Sequence, residues 1–243
     1  MSSGACSPPR RPLPQLDSAE SPAPRDASAP ADAFSAGRAE ALLQSLLGDD
    51  VPHPIGTGAH DRLRDRIVAE LEALGYRPAL QEATSCLAYN GAGATCGTVQ
   101  NILAEFPGQS DGPALLLVAH YDGGGVSAAA ADDGSAVVVL LEIARLLQAQ
   151  GPQRNPVLFL FSDGEEVNLL GARAFCRDHP WLGRVGAVIN LEARGTTGRA
   201  MMFETSADNA WLIEAYATVP HPAANSLMYE AYKAMPNSTD FSV

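Results

Sequence analysis

Three short apolar runs in this sequence each end in side chains that ionise or ligate metals. Leu115-Leu116-Leu117-Val118-Ala119 leads into His120-Tyr121-Asp122, and Ala131-Asp132-Asp133-Gly134-Ser135 follows shortly after. Val157-Leu158-Phe159-Leu160-Phe161 leads into Ser162-Asp163-Gly164-Glu165-Glu166, and Val185-Gly186-Ala187-Val188-Ile189 into Asn190-Leu191-Glu192. If the runs are parallel strands, these residues stand at their carboxyl ends, the edge of an open sheet where ligands bind. Asp122, Asp132, Asp133, Glu165, Glu166 and Glu192 would then crowd together. Desolvated carboxylates that close repel by an amount on the order of several kcal/mol. Few cations lie near them in sequence, Arg194 being the nearest. A divalent ion removes the repulsion directly. Imidazole mixed with carboxylates suits zinc, with manganese or cobalt as substitutes.

Each piece alone has a structural reading. A histidine at a strand end is commonly a hydrogen-bonded structural residue. Asp-Asp-Gly commonly makes a turn and a helix cap. Glu-Glu commonly forms a solvated first helical turn. Their order at successive strand ends is what points to a metal site.

The elements that must position them follow from periodicity. Ala39, Leu42, Leu43, Leu46 and Leu47 fit one helical face, stopped at Gly48-Asp49-Asp50. A second helix is predicted from about His60 to Leu74, with Leu63, Ile67, Val68 and Leu71 on one stripe and Gly75 as its stop. Thr98 to Phe106 alternates as a strand. Further helices are predicted over Ser135–Gln148, Leu169–Asp178 and Asn209–Ala217, and a fourth apolar run, Ala200-Met201-Met202-Phe203, is read as another strand. Runs apolar on both faces that alternate with helices make an α/β domain. Residues 1–33, rich in Pro, Ala, Ser and Asp and without an aromatic side chain, are read as a disordered segment ahead of a domain over 34–243.

The chain has 243 residues and a formal net charge of −12, with no basic run, a poor match for nucleic acid, so no nucleic-acid partner is expected. No apolar stretch reaches the roughly 18 residues of a membrane helix. Cys86 and Cys96 bracket the turn Tyr89-Asn90-Gly91-Ala92-Gly93, which leaves open a bridge or two thiols, while Cys176 reads as a small core residue.

Ala119-His120-Tyr121-Asp122, Ala131 to Ser135, Phe161 to Glu166, Asn190-Leu191-Glu192 and Asn237-Ser238-Thr239-Asp240-Phe241 together resemble the co-catalytic di-zinc aminopeptidases. That family includes secreted bacterial leucyl-type enzymes and vacuolar or endoplasmic-reticulum membrane metallopeptidases. The Asn-Leu-Glu-Ala and Ser-Thr-Asp-Phe segments look closest to the membrane branch. The resemblance spans Phe34 to Val243 and implies a three-layer αβα zinc-exopeptidase fold, phosphorylase/hydrolase-like, with a mixed and mostly parallel sheet. It implies two zinc ions: His120 and Glu192 on one, Glu166 on the other and Asp132 bridging. It further implies Glu165 as general base, Asp122 orienting His120, and Asp133 supporting the turn of Asp132. Glu192 stands where many relatives have Asp, a departure that alters reach. The implied activity is removal of N-terminal residues from peptides, in a full-length protein that is extracytoplasmic or membrane-associated. A second histidine ligand is implied beyond Phe241, so the sequence is read as lacking the C-terminal part of a longer enzyme. Two rivals are a glutaminyl cyclase with a single zinc and a peptidase-like binding domain without catalysis.

Overall fold

The computed structural model describes residues 21–89, 93–193, 198–235 and 238–243. The chain divides into one unit of Pro24–Thr196 with Ser238–Val243 and another built on Thr197–Asn237.

In the first unit, Ser35 opens helix α1 (Ala36–Leu46) by accepting a hydrogen bond from the Arg38 amide. Thr57 opens α2 (Gly58–Ala73) in the same way through the His60 amide, each cap satisfying a backbone donor that the helix cannot. Strand β1 (Ala79–Tyr89) pairs antiparallel with β2 (Gly93–Phe106). The sequence reading finds only the second half of β2, because β1 alternates polar residues with small ones and its apolar signal is weak. A disulfide joins the cross-strand neighbours Cys86 and Cys96, which settles the alternative the sequence left open. Residues 90–92 of the turn between them lie outside the described set.

Strands β3 (Ala114–His120), β4 (Val157–Ser162) and β5 (Val185–Asn190) are the three apolar runs. They complete a sheet of order β1-β2-β4-β3-β5, in which β2 and β4 are antiparallel and β3 is parallel to both β4 and β5. Helix α3 (Ser135–Gln150) connects β3 to β4 and packs with α1 and α2 against one face, on Leu117, Ala119, Phe159 and Phe161. Helix α4 (Leu170–Asp178) follows β4 and packs against β1 and β2. Its Phe175 joins Leu116, Val118, Leu158 and Leu160 on the opposite face. This is a three-layer αβα arrangement: the chain runs from β3 to β4 by way of α3 on one face and from β4 back past β3 to β5 by way of α4 on the other, so the direction of travel reverses at the β3–β5 boundary, the kind of switch point at which such sheets bind ligands.

Two glycines fix the exit of β4. Gly164 adopts φ +67, the left-handed region that glycine enters without strain. At Gly171 in α4 a Cβ would stand 2.3 Å from the Asp163 carbonyl oxygen and 2.4 Å from Asn101 Oδ1, so only glycine lets the helix backbone lie against Asp163.

Two expectations are corrected. Ala200-Met201-Met202-Phe203 is not a strand: it belongs to the second unit, contributes nothing to the five-stranded sheet, and makes only an isolated bridge from Met202 to Ala224. That unit carries α5 (Ala210–Tyr216) and α6 (Ser226–Ala234), with Phe203 packed edge-on to Tyr232. The segment before Phe34 is also ordered further back than its composition implies. Residues 1–20 lie outside the described set, but Arg38 donates to the carbonyls of Ala27, Ala29 and Ala33, and Arg145 to those of Ala31 and Ala33. Arginines on α1 and α3 pin a segment that has no apolar face, and hydropathy does not reveal such an anchor. Among the described residues, no helix is long and apolar enough to cross a membrane.

Both arginines converge on the buried Glu142 of α3, Arg38 at 2.9 Å and Arg145 at 2.7 Å, and Glu142 also accepts the Ser35 amide at 3.0 Å. Removing one partner of a buried charge cluster leaves the rest uncompensated, at a cost of about 3–5 kcal/mol. Glu142→Ala is therefore expected to lower the urea midpoint by the equivalent of about 3 kcal/mol. A midpoint equal to that of the unmutated protein would contradict the anchor.

Candidate metal centre

Parallel pairing sets the site. His120 lies opposite Ser162 in the β3–β4 register, and Val118 lies opposite Asn190 in the β3–β5 register. The Leu191 amide still donates to the Val118 carbonyl at 2.9 Å, so the next residue, Glu192, comes level with the end of β3. His120 Nε2 stands 3.1 Å from Asp132 Oδ1 and 3.7 Å from Glu192 Oε1. One ligand atom from each of His120, Asp132 and Glu192 falls within 4.8 Å of the others. Asp132 arrives on the irregular turn Ala130–Gly134 that precedes α3, across a cis peptide to Asp133.

The imidazole is held from behind. His120 Nδ1 lies 3.0 Å from the Asp122 carbonyl oxygen, and as a donor there it turns the Nε2 lone pair toward the two carboxylates. The Asp122 carboxylate, fully buried, accepts the amides of Glu165 at 2.9 Å and Glu166 at 3.2 Å. Asp122 thus grips His120 chiefly with its main chain and the Glu165-Glu166 turn with its side chain. Asp133, also buried, accepts the His120 amide at 3.2 Å through Oδ2, while its Oδ1 has no hydrogen-bond partner. It therefore braces β3 as well as the Asp132 turn.

The electrostatics show a site rich in negative charge. Burial alone would depress the His120 imidazole, but Asp122, Asp132 and Glu192 outweigh it and hold its pKa well above the ordinary value. Burial raises the Glu165 carboxyl to about 8; His120 opposes the rise, and Asp240, Glu192 and Asp122 reinforce it. Glu166, at the exposed rim, is raised by burial and then by Asp132. Burial also pushes Asp133 well up. Glu192 Oε2 is buried without a hydrogen-bond partner. An imidazole lone pair facing carboxylates, with a buried carboxylate oxygen left unpaired beside it, fits a divalent cation of zinc type.

The structure thus brings together His120, Asp132 and Glu192, and sets Glu165 and Glu166 on the adjoining turn through Asp122. Glu166 falls outside the group of ligand atoms within 4.8 Å of one another. Arg194 and Asn237 lie outside the described residues. Three buried groups near the site carry no predicted role. The Asp240 side chain, in a short turn (Asp240–Ser242), accepts a hydrogen bond from Ser162 at the tip of β4, and burial raises it to about 6. His60 pairs with Asp163 at 2.8 Å. His53 sends its carbonyl to the Gly123 amide. Asp240 was visible only as part of a motif, and the two histidines precede the motif region by many residues, so only the fold connects them to it.

Comparison with known proteins gives the family. Residues 101–243 match the model of peptidase family M28, and the chain belongs to that family. It is 33% identical over 134 residues to endoplasmic reticulum metallopeptidase 1 of Mus musculus, covering 54% of this chain and 15% of that protein. It is 31% identical over 196 residues to the vacuolar membrane protease of Candida albicans, covering 79% of this chain and 23% of that protein. The chain therefore spans less than a quarter of these two relatives. Among solved structures, glutaminyl cyclase of Porphyromonas gingivalis superposes with a TM-score of 0.63 at 26% identity, covering 84% of this chain and 81% of that one. The αβα fold is the one shared by zinc-dependent exopeptidases and glutaminyl cyclases.

A pH prediction follows for the metal-free protein. Glu165 and Asp240 have folded-state values of about 8 and about 6 against ordinary values of 4.5 and 3.8. A raised carboxyl pKa contributes stability that is present below the unfolded value and lost as pH rises through the folded one. His120, also raised, acts in the same direction, and His53, lowered by burial, opposes it. Melting temperature without metal is therefore expected to fall between about pH 5 and 8, and saturating zinc to flatten that fall. A metal-free melting temperature that rises across this window would contradict the assignment.

Proposed function

We propose that this chain is the catalytic part of a zinc aminopeptidase. The convergence of His120, Asp132 and Glu192 oxygens and nitrogen at one sheet edge, with Glu165 beside them, supports this reading most directly. His120 and Glu192 would hold one ion, Asp132 would be shared, and Glu166 would hold the second. When bound, such ions supply an acidified water and an electrophile for the scissile carbonyl.

The remaining chemistry belongs to the protein. Glu165, half-buried and shifted toward neutrality, takes a proton from the attacking water on a carboxylate oxygen and returns it to the leaving nitrogen. Asp122 fixes that carboxylate by holding the Glu165 amide, and its carbonyl keeps the His120 ring in one tautomer. The surplus of carboxylates favours a substrate that presents a free α-amino group, which selects cleavage at N-termini. The disulfide Cys86–Cys96 and the endoplasmic-reticulum and vacuolar-membrane relatives support an extracytoplasmic, membrane-associated setting for the full-length protein.

Likeness to a glutaminyl cyclase structure favours a second reading, cyclisation of N-terminal glutamine with release of ammonia. Zinc stoichiometry separates the two, at two ions for the peptidase and one for the cyclase. With full-length protein and an aminoacyl-4-nitroanilide, Glu165→Gln is expected to lower kcat by roughly 10²–10⁴-fold while zinc content stays the same. Undiminished turnover would remove Glu165 as base. Ammonia release from a Gln-peptide, without anilide hydrolysis, would select the cyclase.

A further inference from the structure

His60 sits at the start of α2, whose inward stripe otherwise consists of Leu63, Ile67 and Leu71. Its imidazole is 2% exposed, a place where an apolar residue would pack without any polar cost. Nδ1 has no hydrogen-bond partner, and Nε2 lies 2.8 Å from Asp163 Oδ1. The ring also stacks on Tyr121, with centroids 4.8 Å apart and planes at 15°. These two contacts reach different strands. Tyr121 lies between His120 and Asp122 at the tip of β3, and Asp163 leads into Gly164-Glu165-Glu166 at the tip of β4.

Asp163 is held on its other sides as well. Its Oδ2 accepts the Gln100 amide at 2.7 Å, and its own amide donates to Asn101 Oδ1 at 3.0 Å. Tyr121 donates its hydroxyl to the Gln100 carbonyl at 2.8 Å. Gln100 therefore ties to both residues through one peptide unit on either side, and His60 closes the ring Gln100–Tyr121–His60–Asp163. No member of this ring belongs to the group of ligand atoms formed by His120, Asp132 and Glu192.

We propose that His60 is a positioning residue: by joining Tyr121 to Asp163 it sets the β3 tip, which bears His120, against the β4 tip, which bears Glu165 and Glu166. The inference rests on the reading above that these residues bind metal and move the proton. The Nε2–H to Asp163 bond is the part that a packing role would not need.

The test uses zinc-loaded full-length protein, with zinc affinity measured by competition with a chromophoric chelator and hydrolysis measured separately. His60→Phe keeps a ring over Tyr121 and removes the donor to Asp163. It is expected to weaken zinc binding and lower kcat by roughly 10-fold, the low end of what losing a direct partner of a metal ligand costs, because His60 acts one residue further out, with KM little changed. His60→Gln can return an N–H near the Nε2 position and is expected to recover most of both. His60→Asn, whose amide stops near the Nδ1 position, is expected to recover neither, so the Gln–Asn pair reads the same bond if the Phe variant does not fold. A fall in melting temperature with zinc affinity and kcat unchanged, or equal behaviour of the Gln and Asn variants, overturns the proposal. If the unmutated protein hydrolyses nothing, yet His60→Phe weakens zinc binding and His60→Gln restores it, the positioning role stands and the aminopeptidase reading falls.

Discussion

Mutual repulsion among acidic groups held at the ends of buried strands is the constraint on which this structure turns. Strands β3 and β4 are apolar on both faces because helices cover both faces, so the groups at their tips emerge from a dry core with little solvent to screen them. Burial raises the pKa values of Glu165, Asp133 and Asp240, and neighbouring carboxylates add to the rise against the opposing pull of His120. Protons relieve the repulsion at low pH, and divalent cations relieve it at the pH where a hydrolase works. A site of this kind is unfavourable for folding without its ions, and local destabilisation of that sort is common where chemistry is done.

The scaffold meets the constraint by fixing each charged group through backbone contacts. Asp122 holds two amides of the next strand's turn, Asp133 holds the amide of His120, and Asp163 accepts the amide of Gln100. Each of these carboxylates accepts at least one peptide N–H. Close approach of α4 at Gly171 and the left-handed turn at Gly164 make room for this bracing on the β4 side. The proposed metal ligands therefore sit in an inner layer, and a layer of carboxylates engaged with backbone surrounds it.

Much of this was legible in the sequence because strands buried on both faces write themselves as unbroken apolar runs. β3, β4 and β5 could be located, and the residues immediately after them read as one edge. β1 escaped because most of its residues are exposed and its one buried position is the polar Ser85. Ala200–Phe203 misled because four apolar residues look alike whether or not a neighbouring strand exists to pair with them. The anchoring of the segment before Phe34 by Arg38 and Arg145 left no periodic trace, since its partners are carbonyl oxygens that every residue has. For the site, residues adjacent to the runs were found and distant ones were not. His60 comes 103 positions before Asp163, and no local pattern relates them. Asp122 was assigned to His120 alone, because its grip on the Glu165 and Glu166 amides depends on the parallel register of β3 and β4.

Anomalous diffraction at the zinc edge from crystals of the full-length, zinc-loaded protein tests the central claim most directly. The account predicts a zinc peak about 2.0–2.2 Å from His120 Nε2 and from carboxylate oxygens of Asp132 and Glu192, with a second peak shared between Asp132 and Glu166. Zinc bound elsewhere, with His120 still facing unoccupied carboxylates, would contradict it.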